Sequence, residues 1–286
     1  MKQVTLRKSV VLIAAALTAF ALQAGPPFNN LEGVGGVAFN PLAYTAGQPL
    51  EGTNSLSSWF NKPQVGTWYV HLGERNINWE SFGVAETIGG RLELSYGYEA
   101  VRLGQGALGT GSAVKDVSKN NLGAKLLLVH ENEGGLPFVP AVAAGAIWRT
   151  TDFNPLPNSN RAGVDYYLVA TKLITQTPLP VLISGGLLDT DEQVTGVLGN
   201  NHDHDLTWFG NVDVLPTSFL ATGFEYKQGA RYNNGFRNAN YWDAHVAWFV
   251  NSRLTLIGAY TFTGNYKNPS PVGLGNGLVL SAQYAF

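Results

Sequence analysis

The stretch Leu278-Val-Leu-Ser-Ala-Gln-Tyr-Ala-Phe286 decides how the rest of the chain is read. Leu278, Leu280, Ala282, Tyr284 and Phe286 fall on one side of a period-two pattern; Val279, Ser281, Gln283 and Ala285 fall on the other. One face suits hydrocarbon, and it turns aromatic at the chain end, where a membrane-spanning strand meets the interface and calls for amphipathic rings. The competing reading is the edge strand of a soluble sheet, so composition and the other strands must decide.

Composition favours a membrane barrel. Only 13% of the 286 residues are charged, against roughly 25% in ordinary soluble domains, and 34 are glycine. The chain has no cysteine, which excludes disulfides, thiolate nucleophiles and Cys-based metal sites. With a formal net charge of −2 and no basic run, nucleic acid is not an expected partner. Lys2, Arg7 and Lys8 precede an apolar run from Val10 to Leu22, followed by Ala21, Ala24 and Gly25-Pro26, which reads as a secretory signal over residues 1–24 cleaved after Ala24. That run is shorter than the roughly 20 residues a spanning helix needs.

Residues 25–63 are rich in Gly, Pro and Asn and lack sustained period two, so they predict a lumen plug or a periplasmic arm. From residue 64 to 286, alternating runs recur. Gln64–Leu72 sets Trp68, Val70 and Leu72 against Thr67, Tyr69 and His71; Arg91–Val101 sets Leu92, Leu94, Tyr96, Tyr98 and Ala100 against Arg91, Glu93, Ser95, Gly97 and Glu99. In Ile77–Thr87, Trp79 and Phe82 disagree in parity, for which a bulge is the expected reconciliation. The runs number about twelve, which predicts an all-β, antiparallel, up-and-down transmembrane barrel. Short turns are expected at Gly89-Gly90, Glu131–Leu136, Thr175–Pro178, Leu215–Thr217 and Asn251-Ser252, on the periplasmic side. Longer loops, among them Arg102–Asn121, Arg149–Asn160, Asp189–Asp205 and Gly229–Asn240, are expected outside.

Aromatic residues at strand ends predict two interfacial girdles: Tyr98, Trp148, Tyr166, Trp208, Tyr226, Trp242 and Tyr260 on the outer side, with Trp248, Tyr284 and Phe286 on the inner. The opposite face predicts a lumen lined by Arg91, Glu93, Glu99, Lys125, Asp165, Asn211, Asp213, Glu225, Lys227, Asp243, His245 and Arg253. Interleaved charges of both signs suit either a selective pore or a salt-bridged interior that only supports the fold. In the pore reading, Arg91, Lys125, Glu225, Lys227 and Asp243 form the constriction, and Lys125→Glu alters ion selectivity.

Other motif-like stretches carry less. Gly104-Gln-Gly-Ala-Leu-Gly109 matches a dinucleotide fingerprint by letters, but nothing helical follows. His202-Asp-His-Asp205 could bind a divalent cation, or, with Asp189 and Asp191, serve a surface hydrolase of the omptin type, yet a solvated loop explains it as well. No catalytic, cofactor or metal site is assigned.

The segments Gly36-Val-Ala-Phe-Asn-Pro-Leu-Ala-Tyr44, Lys62-Pro-Gln-Val-Gly-Thr-Trp68 and Arg91-Leu-Glu-Leu-Ser95, together with the terminal strand, resemble a domain-of-unknown-function family of proteobacterial predicted outer-membrane proteins. The resemblance runs from about Gly36 to Phe286 and implies a barrel in the outer membrane; it implies no activity. The expectation is a narrow pore for small polar solutes. The alternatives are a plugged structural or surface-binding barrel and a hydrolase at the outer rim. Expected partners are outer-membrane lipid and, through the C-terminal strand, the barrel-assembly machinery.

Overall fold

The structure, a computed structural model, describes residues 28–47, 59–104, 116–154, 156 and 159–286. The signal segment, its cleavage point, most of the Gly104–Gly109 match and parts of 25–63 lie outside these residues. Two short strands, β1 (Phe28–Asn29) and β2 (Gly35–Gly36), form a small ribbon. Twelve further strands follow: β3 (Gln64–Leu72), β4 (Ile77–Ile88), β5 (Leu92–Arg102), β6 (Asp116–Val129), β7 (Ala141–Thr151), β8 (Ala162–Ile174), β9 (Val181–Glu192), β10 (Asn200–Thr217), β11 (Leu220–Lys227), β12 (Tyr241–Phe249), β13 (Leu254–Phe262) and β14 (Asn276–Ala285). Each pairs antiparallel with its sequence neighbour, and β14 closes on β3 from Gly277↔Leu72 to Ala285↔Gln64. Closure leaves no strand edge of the barrel unpaired, the condition for backbone to cross hydrocarbon.

Period two orders the wall. On β14, Leu278, Leu280 and Ala282 point outward while Val279, Ser281 and Gln283 are buried inside. Exposed Leu122, Leu126 and Leu128 on β6, Leu168 on β8, Ile183 and Leu187 on β9 and Val246 on β12 continue the apolar belt. A closed barrel with such a belt is an outer-membrane protein. One end carries the short turns and the start of β3 beside the end of β14; the other carries the longer connections.

Several boundaries differ from expectation, mostly because strands outrun the membrane-thick apolar run that marks them in sequence. β6 begins at Asp116, inside the expected loop, and β7 runs on to Thr151. β9 and β10 absorb most of Asp189–Asp205, leaving residues 193–199 as the tip. Leu215–Thr217 belongs to β10, and the turn falls at residues 218–219. β4 pairs in unbroken register with both neighbours and needs no bulge. Trp79 is 2% exposed and Phe82 46%, so the two rings sit on opposite faces of the wall. On β3 the apolar row Trp68, Val70 and Leu72 faces the interior, not the lipid. Both exceptions have one cause: the interior is filled.

Candidate functional site

Nine of the expected lining residues, Glu93, Glu99, Lys125, Asp165, Asp213, Glu225, Lys227, Asp243 and His245, are buried inside the barrel, as is Asn211. Arg91 and Arg253 are not. Each precedes the first residue of its strand (β5 and β13), where parity no longer fixes direction, and each is exposed at the turn end. The Arg91 guanidinium donates to the carbonyls of Leu127 and Leu128 at 3.1 Å, while the Arg253 carbonyl accepts from the Ala285 N–H at 2.9 Å. The expected girdle aromatics all lie on outward rows. Tyr98, Trp148, Tyr166, Trp208, Trp248, Tyr260 and Phe286 are exposed; Tyr226, Trp242 and Tyr284 are half-covered by ring contacts with Trp208, Phe262 and Phe286.

Residues 28–47 run through the lumen, since their partners lie on strands all round the wall. The Glu225 carboxylate on β11 accepts N–H groups from Ala38, Phe39 and Asn40 at 2.6–3.2 Å. Asn40 in turn donates its side-chain amide to the Tyr226 carbonyl at 2.9 Å. Across the barrel, Glu93 on β5 accepts from Gly35 N–H (2.8 Å) and Ala46 N–H (2.7 Å). Lys125 on β6 pairs with Glu93 at 2.9 Å and donates to the carbonyls of Gly35, Leu42 and Tyr44. Thr171 on β8 accepts from Ala43 N–H, Gln283 on β14 accepts from Asn29 N–H, and the Trp68 indole donates to Asn29 C=O. A Gly/Pro-rich segment offers many unpaired backbone groups, and here buried charges satisfy them. Close fit requires glycine where segment and wall touch. A Cβ on Gly97 of β5 would stand 2.3 Å from the Glu32 carbonyl oxygen, and Gly33, beside it, holds φ of 87°.

Toward the loop end a second set of charges surrounds Arg149 of β7. Its guanidinium grips Asp165 of β8 through both nitrogens (2.9 and 2.5 Å) and reaches Glu32 (3.3 Å), Asp191 (3.6 Å) and Glu192 (3.8 Å). Lys119 pairs with Glu99 and Lys227 with Glu192, each at 2.9 Å. Residues 193–199 fold inward over this layer, where Val194, Val197 and Leu198 join Leu31, Phe39 and Trp79 in a core. The expected loops Arg102–Asn121, Arg149–Asn160 and Asp189–Asp205 contain Lys119, Arg149 and Glu192. Extending the inward rows of β6 (Asn121, Lys125) and β7 (Ile147) by one or two alternate positions would have found Lys119 and Arg149.

A third feature lies nearer the turn end. His245 of β12 stands between two carboxylates, Nδ1 2.7 Å from Asp243 and Nε2 2.7 Å from Asp213, and Asn211 donates to the other Asp213 oxygen at 2.6 Å. The imidazole thus bridges the two carboxylates. Below this triad the wall turns apolar and borders a cavity of about 230 Å³. At the rim, His204 lies 3.5 Å from Asp189 and 4.0 Å from Asp191, while His202 contacts Asn160.

Residues 26–282 match the family model described as a protein of unknown function, DUF3034. The chain belongs to this family. No curated protein matches it. Among solved structures, the KdgM porin superposes with a TM-score of 0.51 at 9% identity, over 78% of this chain and 99% of that one. Omp33 of Acinetobacter baumannii aligns at 11% identity over 80% and 99% of the two chains, with a TM-score of 0.47. The NanC porin gives 11% identity and 0.47 over 78% and 98%. At such identity the likeness to KdgM speaks for a shared barrel fold alone.

Proposed function

We propose that the chain is a closed outer-membrane channel for small polar solutes, with residues 28–47 as its plug. One observation carries this reading: the side chains that hold the segment are the buried charges of the wall, Glu93, Lys125 and Glu225, and they bind its backbone rather than one another alone. With the segment gone, the same groups would line a wet bore. Twelve strands stand between the side-chain-filled eight-stranded barrels and the 16–18-stranded porins that hold water. Inward carboxylates outnumber inward cations, so the opened bore should prefer cations. The terminal strand ending in Phe286 is the proposed recognition element for barrel assembly.

Planar-bilayer recording tests the reading. The intact protein should be nearly silent, and deletion of residues 28–47 should give cation-preferring conductance steps. Because the deletion also empties the core, a second form is needed: Ala43→Cys with Thr171→Cys, joined by a disulfide at a site where the segment already bonds the wall. This form should be silent when oxidised and should flicker open when reduced. Silence of both the deleted and the reduced forms, each folded, would favour a structural barrel without transport.

A further inference from the structure

The wall of a water-filled barrel is polar inside, yet this one is apolar over part of its turn-end half. We propose that the cavity there is a binding site for a small neutral aromatic molecule bearing one hydroxyl or amine hydrogen-bond donor. Three inward alanines on consecutive strands create the space: Ala221 on β11, Ala247 on β12 and Ala259 on β13, with Ala221 and Ala247 paired in register. Larger side chains at these positions would have closed it against the plug. The remaining walls are carbon and aromatic rings, Trp68, Phe28 and Phe249 among them, the last two stacked at 6.2 Å.

Size and polarity narrow the ligand. A dry apolar cavity of about 150 Å³ accepts benzene, so about 230 Å³ accommodates one ring with a short substituent. The deep end is closed by buried Ala38, Trp68, Asp213 and His245; the mouth is flanked by half-buried Tyr44, Leu173, Leu215 and Phe249 at the turn end. The polar groups are sparse: Asp213 and His245 at the deep end and Glu131 at the mouth. At the deep end, one Asp213 oxygen lies 2.7 Å from His245 Nε2 and the other accepts from Asn211 at 2.6 Å, and each retains a lone pair. Glu131, at the mouth, is already engaged by Lys172 at 3.2 Å, by Leu173 N–H and by the Tyr44 hydroxyl. An aromatic ring against the alanines with a donor aimed at Asp213 satisfies both ends, whereas an anion would lie beside the Asp213 and Glu131 carboxylates. The site is formed with the plug in place, its Phe28, Ala38 and Tyr44 among the walls, and requires no movement of the plug.

The test uses the full chain in lipid nanodiscs and follows 4-fluorophenol by fluorine NMR, with empty nanodiscs to subtract partitioning into lipid. Saturable one-to-one binding is expected. Ala247→Leu, which fills the cavity, should weaken it at least tenfold, and Ala221→Val should do the same if Ala247→Leu does not fold. Fluorobenzene, which lacks the donor, should bind about tenfold more weakly to the wild type. The inference is overturned if uptake is linear and equal to that of empty nanodiscs, or if a folded cavity-filling variant binds as the wild type does. Equal binding of fluorobenzene and 4-fluorophenol would remove the assigned role of Asp213.

Discussion

Replacing Glu225 by Gln should loosen the lumen segment without touching the barrel, because this one carboxylate accepts three consecutive backbone N–H groups, from Ala38, Phe39 and Asn40. Hydrogen bonds to a charged acceptor are worth about 1.5–3 kcal/mol each, so the three together hold roughly 6 kcal/mol. The amide keeps one neutral oxygen and turns an NH₂ toward the donors, losing about half of that. Some is regained, on the order of 1 kcal/mol, because Glu225 stands directly opposite Asp243 in the β11–β12 register and like charges facing across strands repel. The net is about 2 kcal/mol, or roughly a thirtyfold rise in the undocked population. The chain has no native cysteine, so a single Ala43→Cys reports without background. Ala43 is fully buried and its N–H bonds Thr171. Modification by a water-soluble thiol reagent, slow beside re-docking, measures the open fraction. Labelling in the Glu225→Gln background should accelerate roughly thirtyfold. Equal rates in both backgrounds, with the thiol fully reactive in denaturant, would refute the assignment of Glu225 as a latch.

Two further outcomes follow from the same geometry. Lys125→Met leaves the buried Glu93 charge without its cation and frees three carbonyls, so it should cost about 3–5 kcal/mol in a thermal or denaturant melt, partly restored by adding Glu93→Gln. Leu280→Arg, at the middle of β14 and 47% exposed on the lipid face, should cost about 2–4 kcal/mol when refolding into bilayers is titrated with urea, whereas Val250→Arg, just past the end of β12 at the turn end, should cost about 0–1.

The barrel was legible because its wall obeys one local rule. The bounds of β3 and the facing of β14 follow directly from alternation, as do the twelve-strand count and the turn at Asn251-Ser252. Lys172 lies on the outward row of β8 near the turn end, where Glu131 and the Asn132 side chain take its ammonium. Legibility fails where alternation loses its contrast. Trp68, Val70, Leu72 and Trp79 are apolar and inward, so parity groups them correctly but says nothing about which group meets lipid. That choice depends on residues 28–47 and 193–199, whose irregular backbone carries no periodic signal and whose contacts span up to 254 positions.

The failures share a physical origin, and it bears on function. A barrel that merely conducts water has no use for inward tryptophan, and a barrel that is merely structural could pack side chains against side chains. Here the wall supplies both kinds of surface to one irregular segment: an apolar half toward the turn end and charged groups around Glu93, Lys125, Glu225 and Arg149. Polar contacts to backbone can be exchanged for water at modest net cost, about 0.5–1.5 kcal/mol for a neutral bond, while apolar packing resists removal. The segment is therefore held most reversibly where it meets charge and most firmly where Phe28 and its neighbours meet Trp68 and Phe249. Opening should begin at the charged contacts and leave the apolar end docked, so in the Glu225→Gln background a single cysteine replacing Ala38 should label faster than one replacing Phe28, which stacks on Phe249. The reverse order would place the weak point at the apolar end and overturn this sequence of undocking.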